Sequence, residues 1–215
     1  MDKDRIVDDV KIGTTTATEL LFLKYMMDSL RPGGRCGVIV PEGVLFGSTG
    51  AHKELRRQLI ENNRVEAVMS LPGGVFQPYS GVKTSVLFFR RGGKTENVMF
   101  LHADNDGYKM DANHDTPIEA DDMPGLVAAY RDRETNLKTW SGRDLKAEWD
   151  AQWWFADSAS LRASEFNLSA GRYRPMSQIQ ATHRDPRELL AELAAIQVEI
   201  AEEVEALRVA LSEAA

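Results

Sequence analysis

A helix ends and an apolar strand begins within the stretch Ser29-Leu-Arg-Pro-Gly-Gly-Arg-Cys-Gly-Val-Ile-Val-Pro41. Pro32 cannot continue a helix, and Gly33 and Gly34 allow the backbone to reverse its direction. The apolar run at residues 37–40 is typical of a strand that helices cover on both faces. The loop that follows lies at the carboxyl end of the strand, where α/β sheets usually bind ligands. The stretch therefore predicts an α/β fold.

A helix is predicted before this strand. Thr16 and Glu19 have the spacing of a capping box, in which each side chain accepts a hydrogen bond from an exposed backbone amide of the other residue. The helix is expected from about residue 17 to residue 30, with a broad apolar face that packs on a sheet.

A second helix is predicted after the strand. Ser48 or Thr49 can cap it, and the pair Asn62-Asn63 ends it. Its leucines are expected to face the core, whereas Arg56 and Arg57 are expected to face outward. Together with basic residues further along the chain, these arginines are candidates for a phosphate-facing strip, but a solvated surface is the favoured interpretation because the residues fall on different elements.

Three more strands are predicted at residues 65–71, 84–89 and 97–101. A long loop rich in Gly and Pro, residues 72–82, separates the first two. The last two are joined by a short connection that contains Gly92-Gly93, which is typical of an antiparallel hairpin. Residues 1–103 are therefore expected to form an α/β domain whose sheet ends in an antiparallel hairpin.

The rest of the chain has a different character. Residues 104–185 are expected to form an irregular and partly helical extension whose aromatic residues dock on the core. Residues 186–215 are acidic and are expected to form one amphipathic helix. Its apolar seam consists of Leu189, Leu193, Ile196, Ile200, Val204, Leu207 and Leu211. A seam of this kind needs a partner, which is either another protein or this chain's own domain.

Composition restricts the setting of the protein. The 215 residues are 43% apolar and carry a formal net charge of −7, which argues against a protein that contacts nucleic-acid phosphates over its whole surface. The single cysteine, Cys36, excludes an internal disulfide and is expected to be a small buried hydrophobe. No run approaches the roughly 18 apolar residues of a membrane span. A cytoplasmic protein without membrane association is predicted.

Several common sites are not predicted. The four histidines lack ligand spacing and cysteine partners, so no metal site is expected. The segment Gly74–Gly81 does not have the spacing of a phosphate loop, and no Gly-x-Ser-x-Gly motif indicates a nucleophilic hydrolase.

Ordered segments of the chain carry a family resemblance. They are Val38-Ile-Val-Pro-Glu-Gly-Val-Leu-Phe46, Glu54-Leu-Arg-Arg-Gln-Leu-Ile60, Val65-Glu-Ala-Val-Met-Ser-Leu-Pro72, Val75-Phe76, Gly81-Val-Lys-Thr-Ser-Val-Leu87 and Asn167-Leu-Ser-Ala-Gly-Arg-Tyr-Arg-Pro175. In this order they resemble the carboxyl-terminal half of the adenine-specific DNA methyltransferase subunit of type I restriction-modification systems. The resemblance implies the last strands of a Rossmann-like methyltransferase sheet with a helical extension.

The resemblance also implies an incomplete catalytic apparatus. In this family a Gly-containing loop holds S-adenosylmethionine, and an Asn-Pro-Pro-Phe/Tyr motif positions the flipped adenine. Neither segment occurs in these 215 residues. No catalytic or cofactor-binding residue is therefore assigned. The chain is expected neither to bind the cofactor well nor to methylate alone, as a truncated product, an expressed half or one piece of a split enzyme.

Two loops are implied to border the base pocket and the DNA. One contains Pro41, Glu42 and Phe46, and the other contains Phe76, Gln77 and Tyr79. The alternative for both phenylalanines is that they anchor the loops on the core.

The resemblance implies several partners besides DNA. They are a specificity subunit that pairs through helices, the missing amino-terminal half, the restriction subunit, and a second copy bound through the carboxyl-terminal helix. The alternative function is a non-catalytic interaction module that binds a specificity subunit or self-associates through this helix.

Overall fold

The computed structural model describes residues 11–144 and 149–175, together with Gln197 and Ile200. A five-stranded mixed sheet forms its centre. The strands are β1 (Arg35–Pro41), β2 (Asn63–Ser70), β3 (Thr84–Arg91), β4 (Asn97–His102) and β7 (Trp153–Asp157), in the order β1-β3-β2-β4-β7. A separate hairpin pairs β5 (Asp106–Tyr108) with β6 (Pro117–Asp121). All these elements belong to one compact unit, Met1–Met176.

Helices surround the five-stranded sheet. They are α1 (Thr18–Ser29), α2 (Glu42–Phe46), α3 (Gly50–Asn62), α4 (Met123–Arg131), α5 (Arg133–Ser141), α6 (Ser158–Ala163) and a 3-10 turn (Ala170–Tyr173). None of the helices in the described residues has the length and apolar character that crossing a bilayer requires.

The two predicted helices are confirmed, but only one predicted cap is. The Thr49 hydroxyl accepts a hydrogen bond from the His52 amide at the start of α3, as expected. The capping box of Thr16 and Glu19 is wrong, because α1 begins after Ala17 without a side-chain cap. The Ala17 amide donates to Thr15 Oγ1 instead.

The predicted α/β class is confirmed, whereas the predicted hairpin is wrong. β3 lies between β1 and β2 and is antiparallel to both, and β4 lies parallel to β2 on the far side of β2. The connection between β3 and β4 pairs with the start of β2, since the Gly92 amide donates to Asn63 Oδ1 and the Thr95 hydroxyl donates to the Asn63 carbonyl. These contacts carry the chain across β2, so β4 cannot fold back on β3.

Alternating residues of the strands form two cores. Val68, Leu87 and Phe100 face α1 and α3, whereas Met69 and Met99 face α4 and α5. The central strands are therefore covered on both faces, whereas the prediction that β1 is covered on both faces is wrong, because Ile39 of β1 is 50% exposed.

The aromatic residues after position 150 add a strand to the sheet. Trp153, Trp154 and Phe155 lie in β7, which pairs antiparallel with β4, and Trp154 is completely buried. The expectation that aromatic residues dock on the core is confirmed here, but the segment is regular where an irregular extension was expected. Three consecutive aromatic residues have no polar alternation, so the strand was not predicted.

The predicted carboxyl-terminal helix lies almost wholly outside the described residues. Of its seam, Leu189, Leu193, Ile196, Val204, Leu207 and Leu211 are not among them. Gln197 and Ile200 are helical, and the Ile200 side chain is 56% exposed.

Glu66 connects α4 to the sheet. It is buried on β2, where its carboxylate accepts hydrogen bonds from Arg90 Nε at 2.7 Å and from the Tyr130 hydroxyl at 3.0 Å. Burial raises the pKa of Glu66, but the hydrogen bonds from Arg90 and Tyr130 outweigh burial and hold this pKa below its usual range.

Glu66 is expected to make the stability of the domain depend on acid pH. Because its pKa is lowered in the folded state, its contribution is complete above the pKa of an unfolded glutamate, about 4.3, and is lost as the pH falls through the folded-state value. Urea unfolding of the wild type and of Glu66→Gln should differ by about 2 kcal/mol at pH 7 and converge once the pH falls below the folded-state pKa of Glu66. The exposed Glu119→Gln is the control, and a difference that persists in acid would contradict the prediction.

Candidate functional site

Glu42 joins two strand ends to the loop that precedes β3. Its amide donates to the Lys83 carbonyl at 3.0 Å, and its Oε1 lies 3.4 Å from Ser70 Oγ and 3.5 Å from Lys83 Nζ. Pro41, the last residue of β1, is paired with Thr84. The Thr84 hydroxyl is buried and has no hydrogen-bond partner among the described residues. The site therefore combines the Glu42 carboxylate, the Lys83 ammonium group and the unpaired Thr84 hydroxyl.

Phe46 lies at the end of α2, directly after this cluster. Val44 and Leu45 anchor the short helix in the core, whereas the Phe46 side chain is 50% exposed. The Gly47 amide donates to the Gly43 carbonyl and ends the helix there. Phe46 is thus not the core anchor of the alternative interpretation, and its ring is available to a ligand.

The loop of residues 72–83 presents a second set of exposed aromatic rings. The Gln77 amide donates to the Gly74 carbonyl and the Ser80 amide to the Phe76 carbonyl, both at 2.9 Å, so the loop has a defined conformation. Phe76 is 36% exposed and Tyr79 is 94% exposed. Gln77 is exposed as well. The contacts that link this loop to the first one run through Lys83 and Thr84.

Arg56 is buried, which corrects its expected outward position. It is 2% exposed, and it donates from Nε to the Phe166 carbonyl at 3.0 Å and from Nη1 to the Val44 carbonyl at 3.1 Å. Burial lowers the pKa of its guanidinium. Arg56 is four residues before the buried Ile60 on the same helix, so helical spacing was a signal that could have placed it inward.

The segment Asn167–Tyr173 packs against α2 and hydrogen-bonds to it. The Leu168 amide donates to the Leu45 carbonyl at 2.9 Å, and the Leu168 side chain is fully buried. The Tyr173 hydroxyl donates to the Asn167 carbonyl at 2.7 Å, and its ring stacks on Phe100 with a centroid distance of 4.9 Å. This part of the family resemblance therefore has a packing role beneath α2.

Most of the remaining basic residues contact carboxylates or carbonyls, although Arg64 and Arg90 are neighbours in the register of β2 and β3. Arg57 pairs with Glu54 and Glu61, Arg64 with Glu134, and Arg90 with Glu66, while Arg91 donates to the carbonyls of Asp28 and Leu30. The hydrogen bonds from Arg57 and Gln58 lower the pKa of Glu54 to about 2. These side chains lie on separate elements and balance carboxylates or carbonyls.

Residues able to hold a metal ion are not gathered anywhere in the described ranges, 11–144 and 149–175. Within them no three His, Cys, Asp or Glu side chains are placed for such a site.

Burial raises the pKa of the half-buried Cys36 thiol, which disfavours the reactive thiolate.

Comparison with curated proteins identifies relatives among type I restriction enzymes. The chain is 30% identical over 189 residues to the EcoEI methylase subunit of Escherichia coli, a match that covers 87% of this chain and 36% of that protein. It is 28% identical over 178 residues to the StySJI methylase subunit of Salmonella typhimurium, covering 81% of this chain and 32% of that protein. The chain thus spans about a third of the length of these relatives.

Solved structures of type I restriction-modification proteins are also similar to this chain. A chain from a type I restriction-modification system superposes with a TM-score of 0.61 at 31% identity, covering 93% of this chain and 40% of that chain. The crystal structure of the EcoKI M protein superposes with a TM-score of 0.52 at 23% identity, covering 92% and 44%. The second match shows a shared fold alone.

The model of one protein family, described as N-6 DNA Methylase, matches residues 1–182. This range includes every strand of the sheet, both exposed loops and the segment that braces α2. The predicted resemblance to type I modification subunits is confirmed, and the chain belongs to the N-6 DNA methylase family.

Proposed function

We propose that this chain is one part of an adenine-specific DNA methyltransferase of the type I restriction-modification kind, and that it does not methylate DNA alone. The family match over residues 1–182, in a chain that spans about a third of its relatives, carries this proposal. The absence of an Asn-Pro-Pro motif from the 215 residues supports the second half of it. The attacking adenine amine needs hydrogen-bond acceptors, which that motif supplies.

S-adenosylmethionine is proposed to be held by the complete enzyme and not by this chain alone. Beside the carboxyl end of β1 the structure has a cleft of about 210 Å³, lined by Glu19, Pro41, Gly43 and His52 among others. Pockets for small molecules and cofactors usually measure about 300 Å³ or more. The cleft at this edge is therefore smaller than a usual cofactor pocket, which supports the proposal.

The free edge of β1 is the proposed contact with the rest of the enzyme. In the described part of the chain, β1 pairs with β3 on one side only. Ile39 of β1 is 50% exposed, and Phe22 and Tyr25 on α1 are also exposed. An uncovered strand edge beside exposed apolar side chains favours the addition of another strand.

The exposed rings of Phe46, Phe76 and Tyr79 are proposed to face DNA, together with Pro41, Glu42 and Gln77. Aromatic rings stack on unpaired bases irrespective of sequence, and the carboxyl edge of an α/β sheet is the usual ligand edge. The unpaired Thr84 hydroxyl at this edge supports the proposal, because a buried hydroxyl without a partner is costly unless a ligand or another segment completes it.

A methyl-transfer assay on unmethylated duplex DNA tests the proposed function. The isolated chain is expected to give no turnover, and adding a polypeptide that supplies the Asn-Pro-Pro segment is expected to restore it. In the completed enzyme, Tyr79→Ala should reduce turnover, whereas the exposed Val127→Ala, on α4, should leave turnover unchanged. Turnover by the isolated chain would overturn the proposal.

The second candidate function is an interaction module that binds a specificity subunit or a second copy through residues 186–215. The exposed Ile200 in a helical segment favours it. Replacing Ile196 and Ile200 by Asp should abolish binding of a specificity subunit in a pull-down and leave the circular dichroism of the α/β part unchanged. Unchanged binding would reject this candidate.

A further inference from the structure

His114 connects the β5–β6 hairpin to the loop of residues 72–83. It lies in the connection between β5 and β6 with a φ of 47°, a backbone conformation in which Asp111 Oδ1 accepts its amide at 3.0 Å. Its Nδ1 is 3.0 Å from the Val75 carbonyl of the loop, and its Nε2 is 2.9 Å from Asp106 Oδ2. The side chains of His114 and Asp106 are both mostly buried.

Both ring nitrogens of His114 therefore face oxygen atoms that only accept hydrogen bonds. A backbone carbonyl has no proton to donate, and neither does an ionised carboxylate. A neutral imidazole carries one N–H and can satisfy one of these two acceptors, whereas the imidazolium carries two and satisfies both. The observed geometry thus fits the protonated ring, in an ion pair with Asp106.

We propose that His114 is a positioning residue that, as an imidazolium, fastens the 72–83 loop to the β5–β6 hairpin and so orients the exposed Phe76 and Tyr79 rings. This inference deepens the proposed function, because it rests on the assignment of that loop to DNA contact. The Val75 carbonyl immediately precedes Phe76, so the contact fixes the chain at the base of the aromatic segment. Loss of the proton removes one of the two bonds and the attraction to Asp106.

Charged and aromatic groups from β5 and from the β5–β6 connection surround His114. Asp106 and Tyr108 contribute from β5, and the Tyr108 ring meets the imidazole edge-on at a centroid distance of 5.7 Å. Asp111 contributes from the connection, and its own ion pair with Lys109 at 3.4 Å partly balances it. The 72–83 loop faces the ring with a carbonyl. Carboxylates thus outnumber cations around this ring.

Amide hydrogen exchange of the chain without DNA tests the proposal. The reporters are the Gln77 and Ser80 amides, which are hydrogen-bonded inside the loop, with rates corrected by an unstructured peptide of the same sequence. Protection in the wild type is expected to be about tenfold higher at about pH 5.5 than at about pH 8.5, because an imidazolium makes both hydrogen bonds and a neutral ring makes one. His114→Asn, which tolerates the positive φ, should have the low protection at every pH.

Asp106→Asn should lose most of the pH response, because the amide oxygen can still accept a hydrogen bond but lacks the negative charge that attracts an imidazolium. Asp115→Asn removes the same charge from the residue that follows His114 and should retain the wild-type response. Wild-type protection that is independent of pH, or equal protection in His114→Asn, or a full response in Asp106→Asn, would overturn the proposal. DNA takes no part in this measurement, so its outcome is separate from whether the loop contacts DNA.

Discussion

Arg56→Met is expected to lower the free energy of unfolding by about 3 kcal/mol, because it leaves one buried and one partly buried carbonyl without a donor. Those carbonyls belong to Val44, inside α2, and to Phe166, which precedes the bracing segment. Methionine fills much of the volume of the arginine stem, so the loss reports mainly on the hydrogen bonds and less on a cavity. Urea denaturation followed by tryptophan fluorescence measures it.

The neighbouring Arg57 is the matched control for Arg56. Its side chain is 43% exposed and paired with Glu54 and Glu61 on the same helix, so Arg57→Met should cost less than about 1 kcal/mol. Equal losses in the two variants would contradict the assignment of Arg56 as the buried connection between α2 and the segment after α6.

Leu168→Ala is the second substitution with a large expected effect, a loss of about 3 kcal/mol. Its side chain is fully buried in the core beneath α2, and truncating a buried leucine to alanine removes contacts and leaves a cavity. The exposed Val127→Ala, on α4, should change stability by less than about 0.5 kcal/mol. The same denaturation experiment checks both, and a small loss at Leu168 would mean that the segment does not support α2.

The losses in Arg56→Met and Leu168→Ala should not be additive. Arg56 donates to the Phe166 carbonyl, and two residues after Phe166 the Leu168 amide donates to the Leu45 carbonyl. Both residues therefore connect α2 to the segment after α6. A double-mutant cycle should give a coupling energy of about 0.5 kcal/mol or more. If the two losses in free energy were additive, the Arg56 hydrogen bonds and the packing of Leu168 would stabilise the domain independently of each other.

The first elements of the fold were predictable because their signals are local. Pro32, Gly33 and Gly34 mark the step from α1 into β1, and the Thr49 hydroxyl caps α3. The position of β3 was not predictable from its own residues. Whether it pairs with β4 or enters between β1 and β2 depends on contacts of the Gly92 connection with Asn63, which no short-range pattern contains.

The candidate site was predictable only in outline. The sequence indicated Phe46, Phe76 and Tyr79 as residues of loops at the carboxyl edge, and their exposure in the structure is consistent with a ligand-facing position. The connection from Arg56 to Phe166 spans 110 positions in sequence, and the interpretation of Arg56 as a surface residue rested on its charge. A charged side chain can be buried when carbonyls that are distant in sequence accept its hydrogen bonds. A single sequence does not show which distant residues come into contact.

The insertion of β3 between its neighbours has a consequence for synthesis on the ribosome. When residues up to Ser70 have emerged, the segments of β1 and β2 have both been synthesised. They do not pair with each other in the folded sheet, because β3 lies between them, and β3 has not yet been synthesised. Both nascent segments lack their common partner strand until Arg91 leaves the exit tunnel. During that interval the edges that later pair with β3 are open, so it is a period in which a chaperone would protect the growing chain from aggregation.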